Sequence, residues 1–124
     1  MVTALIFAFA ILMGAFGAIL MKIGANHIGH VEIQSILQLI NYLFKLFTNI
    51  QALAGIFLYF ISAVFWSYLL TKFNVSFVQP ILALTYVVTP ILAIILLREH
   101  VPAMRWVGIL IIIIGVFFVA RTAA

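Results

Sequence analysis

FNVSFVQPILALTYVVTPILAIILL, Phe73 to Leu97, runs for 25 residues without a charged side chain, closed by Lys72 and Arg98. At about 1.5 Å per helical residue, such a run more than crosses the ~30 Å hydrocarbon core of a bilayer. The pattern repeats outward from it. Lys45 to Lys72 encloses 26 uncharged residues, and the run before Lys22 is 21 long. Arg105 to Arg121 encloses only 15; it reaches bilayer length if it starts near Val101 and Arg105 snorkels to the headgroups, with Trp106 in the aromatic belt. The predicted spans are 3–23, 51–72, 76–97 and 102–121. They must be helices, because backbone amides in lipid need internal partners and four segments are too few for a barrel.

Composition agrees. Of 124 residues, 69% are hydrophobic and 6% charged, against about 25% charged in a soluble domain. A water-facing surface cannot be made from six Lys or Arg and two Glu. A soluble enzyme, a nucleic-acid module and a disordered tail are excluded. The net charge of +4 concerns orientation in the bilayer rather than DNA. Cysteine is absent, which removes disulfides and thiolate metal sites. The run Met1 to Met21 has no basic residue before it and Lys22 after it, the reverse of a cleavable signal, so it is expected to stay as the first span.

Residues 32–48 read differently. Gln34, Gln38, Asn41, Lys45 and Thr48 recur at helical steps, with Ile33, Ile36, Leu37, Ile40, Leu43, Phe44 and Phe47 between them. One polar stripe on a 3.6-residue period predicts a helix lying in the headgroup plane. The competing reading is an extension of the second span, bent at Asn49. In the third span, Ser76 and Gln79 have capping-box spacing, which sets a start at Val75 or Ser76. Pro80 falls in the first turn. Pro90 is mid-span and predicts a kink, with Thr85, Tyr86 and Thr89 available to the freed carbonyls. Four spans return both termini to one side. Lys22, Lys45, Arg98 and Arg105 lie opposite, with Lys72 and Arg121 beside the termini, so the positive-inside rule places the termini outside.

Few residues offer chemistry. Gly14, Gly17 and Ala18, with Ala10 one turn earlier, let a backbone or ligand approach the first span closely. Gly108 and Gly115 share a face of the fourth span and suggest a subunit contact. Lys22 either snorkels or points into a cavity to hold an anion such as phosphate; Arg98 and Arg105 lie on its side and make a basic mouth with it, unless Arg98 and Glu99 simply cap the third span and pair with neighbours. Trp66, Tyr59, Tyr68 and Tyr86 offer aromatic faces to a cation, although core and belt roles explain most of them. His27, His30 and Glu32 have zinc-ligand residue types in a Gly-flanked loop, but the bland loop reading leads, and no metal or other cofactor is expected. No catalytic constellation can be assembled.

The segment GAFGAILMKIG (Gly14 to Gly24) and the half QPILALTYVVTPILAIILLREHVPAMRWVGILIIIIGVFFVAR (Gln79 to Arg121) resemble the drug/metabolite transporter superfamily. The pattern rests on Glu99, Val101, Pro102, Trp106, Gly108, Gly115 and Val116. It is similar to two four-helix branches: small multidrug resistance transporters, and the subunits that flip aminoarabinose attached to undecaprenyl phosphate. EamA-type transporters resemble a duplicated version of the same unit. Small multidrug resistance proteins carry an essential glutamate eight residues before the lysine of their LMK motif; here that position is Gly14. Their third-span aromatic positions hold Gln79 and Leu82. With no acid at membrane depth, proton-coupled export of cations is disfavoured.

The resemblance therefore implies an all-α, multi-pass integral membrane protein of four transmembrane helices plus one amphipathic interfacial helix, a single domain over 1–124, in a prokaryotic inner membrane. The expected activity is a flippase-like carrier of a polyprenyl-phosphate-linked sugar or similar anionic amphiphile. The expected substrate residues are Lys22, Gly14, Gly17, Trp66, Gln79, Thr85, Tyr86, Arg98 and Arg105. The expected assembly is a homodimer or a heterodimer with a paralogue through Gly108 and Gly115. The alternatives are export of small metabolites or organic cations, and a non-transporting membrane subunit.

Overall fold

The computed structural model describes residues 1–122. Among them the chain forms α1 (Val2–Ile28), α2 (Ile36–Thr48), α3 (Ile50–Leu70), α4 (Val75–Leu82), α5 (Thr85–Leu97) and α6 (Ala103–Ala120). Four units are long and apolar enough to cross a membrane: α1, α3, the combined α4–α5 segment Val75–Leu97, and α6. The protein is thus all-α, with four spans and one shorter helix.

α1 is the hub. It packs most extensively on α3, next on α5, while α6 leans mainly on α4 and α5. In lipid the tails are as apolar as leucine, so helices associate through close packing rather than hydrophobic exclusion. The buried set reflects this. Small side chains such as Ala10, Ala15, Ala52 and Ala93 join Ile19, Leu69 and Val78, whereas large apolar groups such as Phe57, Phe60, Ile111 and Phe118 point outward. A β-carbon on Gly55 would lie 2.7 Å from the Gly17 carbonyl oxygen, and one on Gly24 would lie 2.8 Å from the Ala52 amide nitrogen. The α1–α3 seam is therefore backbone against backbone. One polar link crosses it: the Ser62 hydroxyl donates to the Ala10 carbonyl at 2.8 Å. At the terminus-bearing end, Phe7 of α1 meets Phe73 and Phe77 at ring separations of 5.9 and 6.4 Å.

Helix ends differ from the sequence reading in physically clear ways. α1 continues beyond position 23 and through Lys22, because the polar stretch after the apolar run is still helix-compatible. Gly29 ends it with φ 87°, its N–H returning to the Ala25 carbonyl; that backbone region suits a residue without a β-carbon. α2 starts at Ile36 rather than 32, where Ser35 accepts from the Gln38 N–H at 3.3 Å. Asn49 separates α2 from α3. Its extended backbone ends one helix, and its side-chain oxygen accepts from the Ala52 N–H at 2.9 Å to begin the next. The capping box at Ser76 and Gln79 does not form, since Asn74 is the N-cap and makes no side-chain cap bond.

The third span is interrupted at Ala83–Leu84 rather than at Pro90 itself. There the amides shorten their reach: Leu84 to Ile81, Tyr86 to Ala83 and Val87 to Leu84, each about one residue tighter than an α-helix. Pro90 itself lies inside α5, which continues from Thr85 to Leu97 around it, so the expected kink at that residue is replaced by a break six residues earlier. Thr85 and Thr89 make no side-chain hydrogen bond to freed carbonyls among the described residues.

Candidate functional site

The interruption opens a cavity of about 300 Å³ between the α1–α3 seam and the third span, lined by Gly14, Tyr59, Ser62, Gln79, Leu82, Ala83, Thr85 and Tyr86. Each lining element follows from helical geometry. Tyr59 and Ser62 are three apart and share a face of α3. Gln79, Leu82 and Ala83, and Tyr86 follow at steps of three and four along the third span. Gly14 contributes space: a β-carbon there would sit 3.5 Å from Ser62 Oγ and 3.8 Å from a Thr85 methyl. Discontinuous helices beside such cavities are a recurrent device of membrane carriers, because irregular backbone is tolerated where it lines a polar space.

The cavity chemistry is uncharged. Tyr59, Ser62, Gln79, Thr85 and Tyr86 present hydroxyls and one amide, groups that both donate and accept. Neither an acid nor an ammonium lines it. This arrangement can replace the hydration shell of a neutral, hydroxyl-bearing group, since each buried polar atom of a guest needs a partner.

Of the sequence-predicted residues, Gly14, Gln79, Thr85 and Tyr86 converge on the cavity. Gly17 does not line it and instead packs against Gly55. Trp66 lies one turn beyond Ser62 on the same face of α3, outside the lining, and its indole N–H is buried without a partner. Lys22, Arg98 and Arg105 are exposed and stand apart from the cavity. Lys22 is eight residues from Gly14, about 12 Å along the axis. Arg98 is the C-cap of α5 in left-handed conformation, φ 56°, and no ion pair joins Arg98 or Glu99 to a neighbour among the described residues. Gly108 and Gly115 face open space, with no atom within 4 Å of a built β-carbon. Among the described residues no three His, Asp or Glu side chains are placed to share a metal; His30 and Glu32 approach to 3.9 Å. Ser62 was missed from sequence. Its one signal was a hydroxyl three residues from Tyr59, on the same helix face.

No curated protein and no solved structure matches the chain. The profile of the EamA-like transporter family matches residues 1–121. With four apolar spans, a broken third span and a polar cavity where those spans meet, this chain belongs to the EamA-like transporter family and is an integral membrane transporter.

Proposed function

We propose that the protein is a flippase-like carrier for a lipid-linked sugar, in which the sugar occupies the cavity while the phosphate stays at headgroup level near Lys22 and the lipid tail remains in the bilayer. The observation carrying this is the cavity itself: five hydrogen-bonding side chains, no charge, and an apolar exterior around them. A neutral hydroxylated group matches such a lining, whereas a bare phosphate or a drug cation would enter it without a counter-charge. Lys22, and with it Arg98 and Arg105, supplies positive charge only at the exposed end. The cargo crosses without chemical change.

Four spans enclose the route incompletely, so the working unit in this reading is a dimer, of like chains or with a paralogue, through the open Gly108/Gly115 face of α6. The setting is a prokaryotic inner membrane. The test is reconstitution of the purified chain into vesicles holding a polyprenyl-phosphate sugar, with translocation read by exposure of the sugar to a membrane-impermeant lectin. Wild type should accelerate translocation without any partner. Lys22→Ala should slow the anionic lipid by about tenfold, the loss of one charge-assisted contact, while sparing a neutral glycolipid. Transport of a quaternary ammonium with no effect on the lipid would overturn the reading, and so would an unchanged rate for Lys22→Ala.

A further inference from the structure

The last turns of α1 and α2 meet around a second cleft, of about 290 Å³, lined by His27, Ile28, Lys45, Thr48 and Asn49. It is separate from the transport cavity, because Gly14 and His27 are 13 residues apart on one helix, about 20 Å along its axis. Cations near helix C-termini have an ordinary explanation in the helix dipole. Here, however, local caps already serve those ends. The Thr48 hydroxyl reaches the Phe44 and Lys45 carbonyls at 2.9 and 3.1 Å. The Asn49 and Gly29 amides bond the Leu46 and Ala25 carbonyls. What remains is a set of donors: the Lys45 ammonium, the His27 ring and the Asn49 side-chain nitrogen, whose companion oxygen is engaged by Ala52. Among the described residues the only carboxylate contact within 4 Å of a basic side chain is His30–Glu32, so Lys45 has no carboxylate partner.

The sector of α2 next to the cleft is apolar. Ile40, Leu43, Phe44 and Phe47 line a shallow hollow of about 240 Å³ without polar surface, and Phe44 and Phe47 are 69% and 56% exposed. Phe44 and Phe47 immediately precede Lys45 and Thr48 in sequence, so hollow and cleft adjoin around the helix. Only Tyr42 and Leu46 are half-buried, making a narrow seam toward the protein. A polar cleft holding one ammonium and neutral donors beside an apolar hollow complements an anionic amphiphile lying along the membrane surface. Lys22, Arg98 and Arg105 stand at the same membrane face and add to its positive field.

We propose that the His27–Lys45–Asn49 cleft holds the phosphate of a resident anionic phospholipid whose acyl chain lies against Ile40, Phe44 and Phe47, fixing α2 in the headgroup plane. The inference goes beyond the transport reading and does not depend on the cargo. Native mass spectrometry tests it, using the full chain in mild detergent with equal phosphatidylglycerol and phosphatidylcholine. Wild type should retain phosphatidylglycerol preferentially. Lys45→Gln should reduce that preference about fivefold, the effect of one cation at an anionic surface. Lys45→Arg should keep it, as should Lys72→Gln at the opposite membrane face and Gln79→Leu in the transport cavity. Helicity by circular dichroism certifies that each variant is folded. Equal retention of both lipids by wild type, or an unchanged preference in folded Lys45→Gln, overturns the proposal. Displacement of the lipid by millimolar inorganic phosphate also overturns it, since the cleft would then be a site for free anions.

Discussion

Substituting valine for Gly55 and for Gly108 places the same side chain in opposite environments and measures what holds the bundle together. At Gly55 a β-carbon would lie 2.6 Å from Met21 Cγ, 2.7 Å from the Gly17 carbonyl oxygen and 2.9 Å from the Met21 amide nitrogen. Met21 Cγ can swing away. The other two atoms belong to the α1 backbone and cannot. An ordinary carbon–oxygen contact needs about 3.3 Å or more, so α1 must withdraw from α3 by roughly 0.6 Å for the first carbon alone, and the valine methyls ask for more. Overpacking of this kind costs about 1–3 kcal/mol, and replacing glycine in a helix returns only a few tenths when the new residue is β-branched. The expected net loss for Gly55→Val is about 1–2.5 kcal/mol, or about 5- to 70-fold in the unfolding equilibrium. At Gly108 nothing lies within 4 Å, so Gly108→Val should change single-chain stability by no more than about 0.5 kcal/mol. Unfolding in mixed micelles titrated with dodecyl sulfate, followed by far-ultraviolet circular dichroism, reads both. If Gly55→Val unfolds within twofold of wild type, the close backbone contact between α1 and α3 is wrong. Cross-linking of the same samples reports on the dimer: Gly108→Val should lose cross-linked pairs if α6 carries the interface, and undiminished pairing would remove that assignment.

Other outcomes follow from the same geometry. Gly14→Leu should fold normally yet lower lipid translocation by about tenfold or more, because the added side chain fills space bounded by Ser62 and Thr85; unimpaired translocation would place the route elsewhere. Asn49→Ala removes the oxygen that accepts from the Ala52 N–H and should cost about 1 kcal/mol, the worth of an N-cap, in the same micelle titration. Pro90→Ala restores a donor for the Tyr86 carbonyl inside α5 and should raise the melting temperature; an unchanged or lower melting temperature would show that the missing bond costs the third span nothing.

The spans and their helical state were legible in the chain because lipid leaves so few solutions: an uncharged run of sufficient length must be helical, whatever surrounds it. The polar stripe from Gln34 to Thr48 likewise predicted a helix, which the structure starts at Ile36, since a helix period sorts side chains to faces without help from neighbours. Gly14, Gln79, Thr85 and Tyr86, which line one cavity, were singled out by their small or polar side chains within apolar runs and by the resemblance. Which face meets which neighbour was not encoded at that level. Leucine, isoleucine and phenylalanine are equally at home in lipid and in the core, so hydropathy could not distinguish Leu69, fully buried, from Phe60, exposed. Tertiary packing alone decided that Gly17 packs against Gly55, that the third span breaks at Ala83–Leu84, that Ser62 joins the cavity, and that Lys22 stands outside it, because each outcome depends on how two helices cross and not on what either one contains.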